Sequence, residues 1–113
     1  MPDKAWKAWE RTVASLLGGK RRGADYGDSR GGKTDIIHPR WAVECKLLGR
    51  PAYMDIRNAC LQAERNAEPG QTPIAMVKRK GDRWEDALVV MRLEPWCRQH
   101  VGEEDAADGQ EET

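Results

Sequence analysis

A chain of 113 residues, 39% hydrophobic and 34% charged, fits one small domain, and no apolar run approaches the roughly 18–20 residues of a membrane span. Leu, Ile, Val and Phe supply only 17 residues, but five Trp, four Met and a formal net charge of zero argue for a Trp-filled core over a disordered chain. The neutrality is composite: residues 101–113 carry six acids and no Lys or Arg, leaving residues 1–100 with 19 basic against 13 acidic groups, a body basic enough to meet a polyanion.

Residues 3–17 predict a helix, because Trp6, Trp9, Val13, Leu16 and Leu17 fall on one face of period 3.6; Asp3 can cap its start and Gly18-Gly19 stop it. Residues 18–34 read as a polar, glycine-rich loop. Its Lys20, Arg21, Arg22, Arg30 and Lys33 are placed to follow a phosphate backbone. A short strand, Asp35-Ile36-Ile37, leads through a turn at His38-Pro39-Arg40 into a return strand over 41–48. Alternation there puts Trp41, Val43, Cys45 and Leu47 on one face and Ala42, Glu44, Lys46 and Leu48 on the other. Tyr53, Ile56, Cys60, Ala63 and Ala67 predict a second helix over 52–68. Strands follow over 73–77 and 87–93, joined by a turn at Lys80-Gly81-Asp82 within a second basic run. The order is α-β-β-α-β-β in a single α/β domain, residues 1–100, followed by an acidic, disordered tail, residues 101–113.

Cys45, Cys60 and Cys97 are odd in number and form no CxxC pair, which argues against a disulfide framework or structural zinc and for a reducing cytoplasm. The charged, amphipathic N-terminus is unlike a signal peptide, and the lack of a targeting segment suits a bacterial or phage setting. No phosphate-cradling loop of the Walker type is present, so no nucleotide cofactor is expected. His38, in a turn, reads as structural.

The chemistry concentrates at Asp35, Glu44 and Lys46. Alternation aims the Glu44 carboxylate and the Lys46 ammonium to the same side of one strand, and the tight hairpin brings Asp35 beside them. Two carboxylates a few ångströms apart repel, and a site that keeps both ionised wants a cation between them. Hard oxygen donors select Mg²⁺, with Mn²⁺ a ready substitute, over zinc. Glu-x-Lys alone is a common tripeptide; its weight comes from lying in an apolar strand, where isolated charges are expensive.

An acid, then an acid-x-Lys on the return strand of a hairpin, resembles the PD-(D/E)XK nucleases, in particular the small archaeal-type and phage Holliday junction resolvases. Thr34 stands where the signature often has Pro, and neither Ser29 nor Thr34 matches well the Ser these resolvases carry before the Asp. The resemblance implies a restriction-endonuclease-like fold, a central mixed sheet flanked by helices. It implies that Asp35, Glu44 and the Cys45 backbone carbonyl ligate the metal and that Lys46 orients the attacking water or stabilises the phosphate. Glu10 lies where these resolvases carry a glutamate on the first helix, and would serve a second metal or the water network. Gln62 lies on the helix where some of the wider superfamily carry a Gln near the DNA. The implied activity is metal-dependent hydrolysis of DNA phosphodiester bonds by a homodimer acting on branched DNA, foremost the four-way junction. Two other functions share the fold: a nuclease that nicks or trims other repair and replication intermediates, and a catalytically silent DNA-binding protein.

Overall fold

The computed structural model describes residues 4–23, 33–50 and 52–101. Helix α1, Ala5–Leu17, starts at Lys4 without a side-chain cap and stops at Gly18. Gly18 takes the left-handed conformation (φ 71°) and returns its amide to the last turn, the usual reason for glycine at a helix C-terminus. Asp3, expected as the cap, lies outside the described residues, as do Arg30 and the acidic tail beyond Val101.

Five strands follow: β1 Lys20–Arg21, β2 Ile36–Ile37, β3 Trp41–Leu48, β4 Thr72–Arg79 and β5 Leu88–Val90. They form one mixed sheet in the order β1-β2-β3-β4-β5. Only β3 and β4 run parallel, and helix α2, Tyr53–Asn66, makes the crossover between them, as a parallel pair requires.

The alternation read for β3 sorts the two layers. Trp41, Val43, Cys45 and Leu47 pack with Trp9, Val13 and Ala14 of α1, Ile36 and Ile74. Leu48, on the opposite parity, packs with Ala59 and Cys60 of α2, together with Ala75 and Val77. Helices therefore lie on both faces. Glu44 and Lys46, sharing Leu48's parity, point to the α2 side.

The structure differs from the sequence reading at both ends of the sheet. Residues 20–21, expected in the loop, form β1, which pairs antiparallel with β2. Gly19 permits this approach, since a Cβ there would stand 2.7 Å from the Ile37 carbonyl oxygen. Residues 87–93, expected as one strand, pair only over Leu88–Val90, and Leu93 opens a third helix, α3, Leu93–His100. Pro95 is buried in its first turn, where the missing N–H removes no helical bond. Arg92 donates from Nε (2.7 Å) and Nη2 (2.6 Å) to the two carboxylate oxygens of Glu64, tying the β5–α3 junction to α2.

His38 holds the hairpin turn to α1. Its Nδ1 accepts from the Arg40 and Trp41 amides at 3.0 and 3.3 Å, which leaves Nε2 to donate to the Leu17 carbonyl at 3.0 Å. The imidazole thus satisfies an orphan carbonyl at the helix end.

Candidate metal centre

The site forms where the β2–β3 ladder ends. Asp35 directly precedes β2, and its amide still donates to the Val43 carbonyl at 3.0 Å. The next inward-facing amide of β3, that of Cys45, instead donates to the Asp35 carboxylate (Oδ2, 2.8 Å). A side chain thus replaces the backbone acceptor that a longer strand would have supplied. In an extended strand the N–H and C=O of one residue face the same neighbour, so the Cys45 carbonyl belongs to the same edge of β3 as the amide that meets Asp35.

Glu44 is 3% exposed. Asn66 Nδ2, in the last turn of α2, lies 3.3 Å both from Glu44 Oε1 and from the Lys33 carbonyl. Burial pushes the Glu44 carboxyl up to about 8, and the charge of Asp35 and a hydrogen bond shared with it act in the same direction; Asn66 and Lys46 oppose them. Glu44 therefore holds its proton well above the ordinary carboxyl range. Two carboxylates and one backbone carbonyl are hard oxygen donors of the type that suits Mg²⁺ or Mn²⁺, and the chain's acids fit that ion. Among the described residues, no three His, Cys, Asp or Glu side chains are disposed to hold a metal together, so a carbonyl or solvent oxygen must complete the shell.

The third acid is Glu10, on α1. Its carboxylate is buried at 8% exposure, near enough for Asp35 to raise its pKa, the main cause of the rise being burial. It is engaged by Arg21, whose Nε stands 2.6 Å from Glu10 Oε1. All three acids act on the Cys45 thiol, which burial foremost holds above its usual range, so this cysteine is no nucleophile.

The proposed DNA contacts separate in space. Lys20 is exposed in β1, and Lys33 is exposed beside the site. Arg21 and Arg22 turn inward. Arg22 donates from Nε to the Thr34 carbonyl (2.7 Å) and from Nη2 to the Thr34 hydroxyl (3.3 Å), while its amide bonds the Asp35 carbonyl at 2.8 Å. Thr34 Oγ1 in turn donates to the Ile36 carbonyl. Arg22 and Thr34 are thus a splint that fixes Asp35. In the second basic run Arg79 pairs with Asp82, Arg83 with Glu85, and Lys78 Nζ donates to the Asp82 carbonyl at 2.8 Å.

Gln62 is half-buried. It stands one turn before Asn66 on the same face of α2. Since α2 runs back against β3, this places it toward the Lys46 level. Asn66 itself was not anticipated: no spacing marks it, and only the packing of α2 on the sheet brings its amide to Glu44. Removing a partner that orients a metal ligand typically weakens metal binding by about 10–100-fold. Asn66→Ala is therefore expected to weaken Mn²⁺ binding by about that factor, measured calorimetrically.

No family model matches the chain, and no curated protein or solved structure matches it significantly.

Proposed function

We propose that the chain is a metal-dependent DNA endonuclease of the PD-(D/E)XK type, with a restriction-endonuclease-like fold, acting on branched DNA and foremost on four-way junctions. The observation that carries the reading is the meeting of Asp35 and buried Glu44 at the splayed end of a hairpin, with Lys46 on the same face of β3. Charges on the buried side of a central strand are costly.

In this reading Asp35, Glu44 and the Cys45 carbonyl hold one Mg²⁺ or Mn²⁺. The ion, when bound, acidifies a water and neutralises charge on the phosphate. Asn66 fixes the Glu44 carboxylate, the Arg22–Thr34 splint fixes Asp35, and Lys46 offers a fixed positive charge to the attacking water or the pentavalent phosphate. Lys20 and Lys33, with Arg30 from outside the described residues, contact the phosphate backbone. Cutting a symmetric junction needs two sites, so the partner is a second copy of the chain. The open edge of β5, where Leu88 is 57% and Val89 65% exposed, is an apolar strand edge of the kind that pairs with another chain. No helix among the described residues is long and apolar enough to cross a membrane, and the cytoplasm of a bacterium or a phage host is the proposed setting.

The test is a cleavage panel. Labelled four-way junction, flap, nicked and linear duplex are incubated with Mg²⁺, Mn²⁺ or EDTA. Paired, symmetric, metal-dependent cuts confined to the junction are expected. Equal cutting of flaps or linear DNA would keep the nuclease and remove the junction role. Binding without cutting in either metal would make the chain a silent DNA-binding protein.

A further inference from the structure

We propose that Arg21 is a built-in counter-ion that takes the place of a second divalent cation, so that the site works with a single bound metal. The inference rests on the metal-centre reading above and goes beyond it by assigning Glu10 and Arg21. Glu10 and Asp35 line one cleft, and Asp35 takes the amide of Cys45, the residue next to buried Glu44. A divalent ion held by two of these three acids leaves the third without a counter-charge. Arg21 supplies it: Nε lies 2.6 Å from Glu10 Oε1, and the guanidinium lies 5.7 Å from the centre of the Trp6 ring.

The guanidinium is seated by the chain around it. Gly23 has φ +57°, and a Cβ there would stand 2.9 Å from Arg21 Nη1, so the chain passes close over the tip of the guanidinium. Trp6, Glu10, Arg21, Gly23 and Asp35 line one cleft of about 230 Å³. Arg21 cannot lose its proton in any ordinary range, so the positive charge is permanent. An ion entering beside Glu10 must displace a hydrogen-bonded, aromatic-stacked cation, and like charge opposes it. Glu10 is thus buried in the cleft it shares with Asp35 and already carries its own cation. It also withdraws Arg21 from the set of side chains that track phosphates.

The experiment is Mn²⁺ titration of the full chain by calorimetry, with electron paramagnetic resonance to count bound and free ions, at a pH above 8. Wild type is expected to bind a single ion per chain. Arg21→Gln, checked for folding by its melting curve, is expected to gain a second, weaker site. Arg21→Lys, which keeps the charge, should bind one, and Glu10→Gln added to Arg21→Gln should abolish the gained site. Glu10→Gln alone, which keeps the side chain's volume, should still bind one ion, more weakly than wild type because Arg21 then stands without its partner. Two ions in wild type, or a single ion in folded Arg21→Gln, would each overturn the inference while leaving the metal centre in place. No Mn²⁺ bound by wild type at all would overturn the metal centre itself.

Discussion

Glu44→Ala is expected to lower metal-dependent cleavage by about 10³-fold or more, the scale seen when a group that stabilises transition-state charge is removed, and at the same time to flatten the dependence of stability on pH. The carboxyl of Glu44 has an ordinary value of 4.5, raised in the fold to about 8, foremost by burial and then by Asp35. A raised value means that the folded state binds the proton more tightly than the unfolded state. The associated stability is fully present below about pH 4.5 and is lost as pH rises through about 8. In EDTA the wild type should therefore melt progressively lower from mildly acidic to alkaline pH. Mg²⁺ or Mn²⁺ reverses the loss, since a cation that binds only the folded form stabilises by about 2.7 kcal/mol at 100 times its Kd, about 10 °C or more for a domain of this size. Glu44→Ala has neither the slope nor the metal-induced gain. At acid pH it should be less stable than wild type, having lost the Asn66 hydrogen bond and gained a void; at alkaline pH in EDTA the two melting curves should converge or cross. Scanning fluorimetry on the five Trp from pH 5 to pH 9, with and without metal, reads all of this. A wild type whose melting in EDTA is flat across that range would remove the account of Glu44 as a buried carboxyl that holds its proton.

The parts of the fold that the sequence displays are those where a local period meets a one-sided core. Residues 41–48 alternate strictly, and the structure divides them between the α1 and α2 faces by that parity. Gly18 ends α1 because the αL position there favours glycine, a local rule that needs no tertiary knowledge. β1 is two residues long and has no period; it exists because Gly19 lets the chain pass against Ile37, which only the folded hairpin can reveal. The helix Leu93–His100 was legible in part, since Leu93, Trp96, Cys97 and His100 recur at helical spacing, and Pro95 disguised it by standing where a breaker is tolerated. In the site, Asp35, Glu44 and Lys46 could be placed together because two of them share a strand parity and the third a tight hairpin. The five basic residues of the loop look alike in sequence. Their division into an acid's partner (Arg21), a splint (Arg22) and exposed cations (Lys20, Lys33) depends on which of them meets α1 or the end of β2, and no spacing encodes that.

Lys46→Ala is expected to separate cleavage from metal binding. Lys46 is half-buried on the α2 face of β3, and its charge acts on the Glu44 carboxyl against the effect of burial. It donates no ligand oxygen. Removing it deletes a positive charge beside the proposed cation, so Mn²⁺ affinity at a pH well above 8 should be unchanged or tighter. Cleavage should fall by about 10²–10⁴-fold, the span typical for loss of a positioned group that acts on the reacting water or phosphate. Lys46→Arg tests shape at constant charge: a planar fork is not a compact ammonium, so partial activity is expected and full activity is not. The comparison with Glu44→Ala carries the argument. One substitution loses metal and cleavage together, the other loses cleavage with metal retained, and DNA binding persists in both because their side chains belong to the buried strand and not to the exposed cations. If Lys46→Ala lost Mn²⁺ binding as Glu44→Ala does, Lys46 would be holding the site together rather than acting on the substrate, and the charge at this position would have to be explained by the stability of the Asp35–Glu44 pair alone.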